Sequence, residues 1–463
     1  MDILIRGAVL REHSILSSSA SSSRHESWVK MMESSALNRY KTSIDYLYGL
    51  QKYGIKFGLN STEKILERLG NPESRLKCIH VGGTNGKGST AAMLSSILRA
   101  HGLRVGLYTS PHLVRFTERF RVDEREADVE RILAVFERVR SVLDDSEPPT
   151  FFEMVTAMAF QYFVEERVDW AIIEVGMGGR LDATNVIRPE ASIITNVSYD
   201  HQEFLGNSLA AIAREKAGII KEGVPLITDA RQPVVKGILK ATCFSHHAPV
   251  FCLGSTFRVR RNPDGTFQYH GIRRKWRSLG LNLKGAHQFQ NAALALAALE
   301  VIDGQGPVPL EEEVIREALL GVHWPCRLEV LQENPLVILD GAHNPHGAES
   351  LREALKSCFD YDKLHLVLGI MADKDTRGIL RRLLPLAETA IFTKPRYARA
   401  EKPETLKRLA RPYVQKHYVI PDPAAAIAEA RAMASPNDAI CIAGSLYFAG
   451  EVKELLGERT LCV

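Results

Sequence analysis

The apolar positions of the chain fall into two series of short buried runs separated by amphipathic stretches. In the first, Ser43 to Tyr53 spaces Ile44, Leu47 and Leu50 along one helical face, and the Gly54 to Gly58 loop follows. Leu76 to Val81 is a short apolar strand. Thr90 to His101 carries Ala91, Leu94, Ile97 and Leu98 on one side, which predicts a helix ended by Gly102. Arg104 to Tyr108 reads as a strand, Val129 to Leu143 and Glu153 to Glu165 as helices, and Val168 to Glu174 and Ser192 to Asn196 as buried strands. Alternation of this kind predicts a parallel sheet covered by helices on both faces. The second series begins after Trp324-Pro325. Leu336 to Asp340, His365 to Gly369, Ala390 to Thr393 and Ala439 to Ala443 read as its strands, with helices between. The boundary between the two units is expected near Val322 to Arg327. Gly304 to Pro309 is the other candidate, but the helix-like Glu311 to Leu320 after it belongs with the linker.

Residues 1–35 follow neither series. Ser14 to Ser23 is serine-rich, and Arg6, Arg11 and Arg24 among serines suggest an organelle transit peptide. Asp2, Glu12 and Glu26 argue against that, and Arg6 interrupts the apolar run Ile3 to Leu10 that a secretory signal needs. The expectation is a disordered tail, or a start placed too far upstream with Met31 or Met32 as the true first residue.

Composition narrows the classes. A chain of 463 residues suggests two or three domains, and 45% hydrophobic content is ordinary for a soluble globular protein. The longest apolar stretches, such as Trp170 to Val175, are too short to span a bilayer, so no membrane role is expected. A net charge of +4 suits an anionic substrate without predicting nucleic-acid binding. The seven cysteines form no C-x-x-C pair, which predicts reduced thiols in a cytoplasmic enzyme rather than a zinc knuckle or disulfide framework.

The chemistry concentrates at strand ends. After Leu76 to Val81 comes Gly82-Gly83-Thr84-Asn85-Gly86-Lys87-Gly88-Ser89, with a strand running in and a helix running out. Backbone N–H groups of such a turn surround phosphate, Lys87 would neutralise β/γ-phosphate charge, and the Ser89 hydroxyl would hold Mg²⁺. The strict P-loop pattern is missed twice: Val81 stands at the first glycine, and Gly88 separates Lys87 from the hydroxyl residue. Glu174 ends a buried strand and is either a metal ligand or a polar residue leaving the core. Asp200-His201 and Thr109-Ser110-Pro111-His112 follow strands in the same way. Four strand ends carrying Ser89, Ser110, Glu174 and His201 therefore point to one sheet edge and a nucleotide–metal centre. Lys216, on the expected helix Ser208 to Lys221, reads from spacing alone as a solvated lysine. Asp340, in Asp340-Gly341-Ala342-His343-Asn344-Pro345, either binds a ribose or belongs to an ordinary capped turn.

Taken together, these motifs resemble the folylpolyglutamate synthase and dihydrofolate synthase family, a branch of the Mur ligases. The resemblance rests on Gly83 to Ser89, Tyr108 to His112, Thr150 to Glu153, Glu174 to Asn185, Asp200-His201, Arg214 to Ile219, His287 to Asn291, Arg327 to Glu329 and Asp340 to Pro345, in the family's order. It implies a P-loop parallel-sheet ATPase unit over 36–323 and a smaller Rossmann-like α/β glutamate ligase unit over 324–463. It implies Ser89, Ser110, Glu174 and His201 as ligands of Mg²⁺, in two sites, and a carbamylated Lys216. Asn85, Gly86, Lys87, Gly88, Ser89, Asn291, Arg327 and Asp340 would contact ATP, with Lys87, Lys216 and His201 in catalytic roles. Thr150, Phe151, Phe152, Glu153, Leu181, Asp182 and Ala183 would bind the pterin, and the Ile55 to Phe57 loop would close over it. Cys326 stands where the family commonly has glycine, which questions the backbone geometry beside Arg327.

The expected activity is ATP-dependent addition of L-glutamate to dihydropteroate and to reduced folates through an acyl phosphate, by a monomer. Phe152-Glu153 and Arg180-Leu181-Asp182 favour the bifunctional bacterial type over a member using one acceptor. A GTP-binding switch would want an N-K-x-D motif, which is absent. A ligase for peptidoglycan precursors is disfavoured by Thr150 to Glu153 and by Lys87-Gly88 in place of Lys-Thr.

Overall fold

Five consecutive buried residues, Cys78–Gly82, form the central strand of the larger of two main sheets. The computed structural model describes residues 38–54, 58–303 and 310–460. The 1–35 tail, the Ile55 to Phe57 loop and the Gly304 to Pro309 candidate boundary lie outside the described residues.

The first sheet has eight strands: β1 Cys78–Gly82, β2 Val105–Tyr108, β3 Phe120–Val122, β4 Arg125–Glu126, β5 Trp170–Glu174, β6 Ala191–Ile194, β7 Leu226–Thr228 and β8 Val250–Cys252. Their order is β4-β3-β2-β5-β1-β6-β7-β8. From β2 to β8 all pairings are parallel, as the alternating pattern predicts. The departure is at one edge, where β3 and β4 pair antiparallel. Strands β1, β2, β5 and β6 are buried along their whole length, which a parallel sheet covered on both faces requires. One face packs under the helices Lys87–Ala100, His287–Asp303 and Glu312–Gly321. The other packs under Val129–Ser141 and Phe151–Glu165.

A three-stranded antiparallel sheet follows: β9 Arg258–Arg261, β10 Phe267–His270 and β11 Lys275–Leu279. The sequence pattern does not predict it. Its runs are short, the first is mostly arginine, and only one face, with Phe267, Tyr269, Trp276 and Leu279, joins the core.

The second main sheet has six strands: β12 Glu329–Glu333, β13 Leu336–Leu339, β14 Leu364–Leu368, β15 Thr389–Phe392, β16 Lys416–Val419 and β17 Ala439–Ala443. Their order is β12-β13-β17-β14-β15-β16. It is parallel except for β12, a half-exposed edge strand that pairs antiparallel with β13. The helix Leu446–Thr460 after β17 meets the first unit. A Cβ on Gly450 would lie 2.0 Å from the Leu113 carbonyl oxygen, so only glycine lets the two backbones approach this closely.

No helix among the described residues is long and apolar enough to cross a membrane.

His80, in the middle of β1, is fully buried, and burial pushes its imidazole down to about 3. Its folded pKa lies below the ordinary histidine value of 6.5, so the unfolded chain binds the extra proton as pH falls. The stability carried by the neutral ring is complete above about pH 6.5 and is lost as pH drops towards about 3. Wild-type stability is expected to fall more steeply than that of His80→Gln between pH 6 and 4, by about 1.4 kcal/mol per pH unit. Urea unfolding of the two proteins measures the difference, and parallel pH profiles would refute it.

Candidate active site

The strand order β2-β5-β1-β6 sets four carboxyl ends side by side, with Val81 opposite Glu174, Tyr108 opposite Ile173 and Gly82 opposite Ile194. The loops that leave them converge on one cavity of about 170 Å³ between the two main sheets. Its lining from the first sheet includes Gly83 to Ser89, Ser110, Glu174, His201 and Lys216, with Asn291 from the helix after β11. Arg327 and Asp340 line it from the second unit. The structure thus brings together every expected metal and nucleotide residue.

The helix Lys87–Ala100 starts without a side-chain cap, so its first N–H groups remain open towards the cavity. Lys87 Nζ donates to the Thr84 carbonyl at 3.3 Å and lies 3.9 Å from Glu174 Oε1. Both contacts are long, and the ammonium is free to turn to a phosphate. Gly88, on the next helical position, lies against Trp324: a Cβ there would stand 2.9 Å from the indole Nε1. That contact gives a physical reason for the glycine between Lys87 and Ser89. Gly88→Ala is expected to cost about 1–3 kcal/mol through overpacking and to shift the Trp324 emission. Trp324→Leu in the same chain should restore most of that stability; no restoration would refute the contact as the cause.

Glu174 is almost fully buried. Burial raises its carboxyl above the ordinary value, opposed by Lys87, the Ser110 N–H at 3.3 Å, Arg327 and Arg119. The hydroxyls of Ser89 and Ser110 are not engaged by any group among the described residues. His201 sits at φ 48° after β6, and burial pushes its ring down to about 4 despite Asp200 beside it, so the imidazole is neutral. Among the described residues no group of three His, Cys, Asp or Glu side chains is arranged to hold a metal. A carboxylate, two free hydroxyls and a neutral imidazole fit a hard cation that completes its shell with phosphate oxygens and water, which is the habit of Mg²⁺.

Lys216 is buried rather than solvated. Ser208 caps its helix, Leu209–Ala217, and Nζ donates to the Gly83 carbonyl at 2.9 Å. Burial, reinforced by Lys87, pushes the amine down to about 7.

On the second unit, Cys326 and Leu328 flank Arg327 at φ 57° and 49°. The expected doubt about Cys326 thus falls on a buried cysteine that takes up a left-handed backbone. Asp340 holds this bend: its oxygens accept from Leu328 N at 2.9 Å and Ala342 N at 2.8 Å. Asn291 donates to Gln288 Oε1 at 2.9 Å.

The expected pterin segments lie beside this cavity and do not line it. Thr150 and Glu153 cap the helix Phe151–Glu165, Thr150 N donating to Glu153 Oε2 at 2.6 Å and Glu153 N to Thr150 Oγ1 at 3.2 Å. The Phe151 ring stacks on Tyr48 at 5.7 Å, and the Phe152 ring lies against Gly176. Leu181 is half-buried and Ala183 buried, on either side of Asp182, whose carboxylate closes its own turn through Thr184 N and Met177 N.

Sequence reasoning misses several residues of the site. Arg119 is buried beneath Tyr48 and Phe151: its Nε donates to His112 Nδ1 at 2.8 Å, and its guanidinium lies 5.3 Å from the Phe151 ring centre. No carboxylate among the described residues pairs with it. Asn344 Nδ2 donates across the units to Asn85 Oδ1 and to Asp200 Oδ2, both at 2.9 Å. Lys374 Nζ reaches Asp200 Oδ1 at 2.8 Å. Burial alone would raise the Asp200 carboxyl, but His343, His201 and Lys374 outweigh it and hold it well below the ordinary range.

The Mur ligase middle domain family matches residues 81–299, and the Mur ligase glutamate ligase domain family matches 326–446. A "Dihydrofolate synthase/folylpolyglutamate synthase" of Bacillus subtilis (strain 168) is 35% identical over 427 residues, 90% of this chain and 99% of the relative. Mycobacterium tuberculosis folylpolyglutamate synthase, solved with ADP and AMPPCP, superposes with a TM-score of 0.85 at 32% identity, covering 90% of this chain and 99% of that one. A bifunctional folylpolyglutamate synthase/dihydrofolate synthase of Yersinia pestis, solved with AMPPNP and a Mn ion, gives 0.82 at 30% identity, covering 90% and 98%. With both family matches inside its two sheets and a near full-length relative beside them, the chain belongs to the folylpolyglutamate synthase/dihydrofolate synthase branch of the Mur ligases.

Proposed function

We propose that this protein is an ATP-dependent ligase that joins L-glutamate to dihydropteroate and to reduced folates, acting in the cytoplasm as a monomer. The observation that carries the reading is the meeting of Lys87, Ser89, Ser110, Glu174 and Lys216 in one cavity closed by Arg327 and Asp340 of the second unit. The boundary between the two working units is placed at Val322 to Arg327.

A carboxylate is a poor electrophile until it is phosphorylated. The γ-phosphoryl group of ATP would pass to the acceptor carboxylate, giving an acyl phosphate and ADP. The amine of glutamate would then attack the acyl carbon, form the amide and release phosphate. Open N–H groups at Gly86 to Ser89 hold the phosphates, and Lys87 stabilises charge on the group in transfer. Ser89, Ser110, Glu174 and His201 would hold Mg²⁺ in two sites, and the ion would supply Lewis acidity at the phosphoryl oxygens. Lys216, with a sizeable neutral fraction near neutral pH, is suited to add to CO₂, forming an N–C bond and releasing one proton. The carbamate so formed is an anion in the middle of the cavity.

Arg119 supports the choice of acceptor. A buried guanidinium without a carboxylate partner, under the stacked rings of Tyr48 and Phe151, suits a ligand that is aromatic at one end and carboxylated at the other. The deciding assay supplies ATP, Mg²⁺ and L-glutamate with dihydropteroate or tetrahydrofolate in parallel. Glutamylated product is expected from both. Product from one acceptor alone assigns a single-acceptor enzyme, and product from neither overturns the reading.

A further inference from the structure

His80 does not touch the cavity, yet it is joined to the loop beside it. Its Nε2 lies 2.9 Å from Thr184 Oγ1, and that hydroxyl donates to Asp182 Oδ1 at 2.5 Å. Asp182 also accepts from Thr184 N at 3.1 Å and, through Oδ2, from Met177 N at 2.8 Å. His80, Thr184 and Asp182 are buried and Met177 is half-buried, and His80 Nδ1 has no partner among the described residues.

Burial raises the Asp182 carboxyl, and the Thr184 and Met177 N–H donors on its two oxygens oppose that and favour the ionised form. The single hydroxyl proton of Thr184 is therefore given to Asp182, which leaves Thr184 Oγ1 as an acceptor towards His80. With Asp182 ionised, His80 is the Nε2–H tautomer, and its unmatched Nδ1 is a lone pair rather than an N–H. Donation converges on Asp182: from the core strand through His80 and Thr184, and from the loop through the Met177 N–H.

We propose that His80 is a positioning residue for acceptor binding, acting through Thr184 on the Asp182 carboxylate that folds the Gly176 to Asn185 loop. The same strand leads into the phosphate loop two residues later, so the loop beside the acceptor and the loop around the nucleotide share one support. The relay serves the first without contacting the second. This rests on the proposed pterin acceptor.

The experiment compares His80→Leu and Thr184→Val with the donor-retaining His80→Gln and the hydroxyl-retaining Thr184→Ser. KM for dihydropteroate and tetrahydrofolate is expected to rise about tenfold in the first pair, with kcat and KM for ATP within about twofold of wild type, and to return near wild type in the second pair. The double variant His80→Leu with Thr184→Val should be no worse than Thr184→Val alone, as members of one chain are not additive. A general defect in β1 would instead move KM for ATP at least as far as that for the acceptor, and that result overturns the proposal. Should His80→Leu fail to fold, Thr184→Val and Thr184→Ser decide alone. Wild-type turnover with variants unmoved defeats the relay only, whereas a wild type that uses neither acceptor defeats the parent reading and the relay with it.

Discussion

Lys87→Ala is expected to lower ligase turnover by about a thousandfold while leaving the fold intact. The size follows from the charge that builds on a transferring phosphoryl group, where removal of one well-placed donor in a water-poor site typically costs about 10²–10³ in rate. The intact fold follows from the poor ground-state contacts of the side chain: a hydrogen bond at 3.3 Å to Thr84 and a 3.9 Å separation from Glu174. Neither is strong enough to hold the helix Lys87–Ala100, whose inner face is fixed by Met93, Leu94, Ile97 and Leu98 in the core. Steady-state kinetics and a melting curve check both halves. Turnover within tenfold of wild type would show that another group carries the phosphoryl charge, and a lost melting transition would show that Lys87 is structural.

The second large effect is expected at Asp200. Asp200→Ala leaves the Lys374 ammonium, whose side chain is 9% exposed, with only the Asp373 carboxylate at 3.4 Å, and removes an acceptor from Asn344. Breaking a buried pair by removing one partner costs about 3–5 kcal/mol when the remaining charge has no other partner, and the Asp373 carboxylate keeps the expected cost at or below the lower end of that range. Here the two partners come from different units, so the cost is expected to appear as loss of alignment between them and a fall in kcat of about a hundredfold. Asp200→Asn, which keeps the shape and one acceptor, should fall between. The sign of the pH dependence is also set. The folded carboxyl lies below its ordinary range, so its contribution is present above that range and is lost only as strongly acid pH approaches the folded value. Unchanged kcat in Asp200→Ala would remove this contact from the account of closure.

The strands that carry the chemistry are legible in the sequence because both faces of a parallel sheet are buried. Such strands read as unbroken apolar runs, and Ser89, Ser110, Glu174 and His201 stand out at or shortly after the ends of four of them. The β9–β11 sheet is hidden for the opposite reason: three of the four residues of Arg258–Arg261 are exposed arginines, too few positions to show a period. Arg119 sits in a polar stretch and reads as surface; only the folded Tyr48 and Phe151 reveal that it is covered. Lys216 likewise reads as solvated until its helix is packed against the Gly83 carbonyl. Lys374 and Asp200 are 174 residues apart, and no local pattern links them. Cys326 takes up a left-handed backbone that its residue type does not announce, which a sequence alone cannot display.

One contact makes nucleotide binding and the approach of the two units a single equilibrium. Asn85 belongs to the loop that would hold the phosphates, and its amide pairs reciprocally with that of Asn344: Asn85 Nδ2 donates to Asn344 Oδ1 at 3.2 Å and Asn344 Nδ2 donates back at 2.9 Å. A ligand that favours the paired arrangement draws the units together, and whatever draws them together must strengthen that ligand by the same factor. The enzyme therefore needs no separate messenger between its halves. Occupancy of one side is already information on the other, written in the free energy of two amide hydrogen bonds.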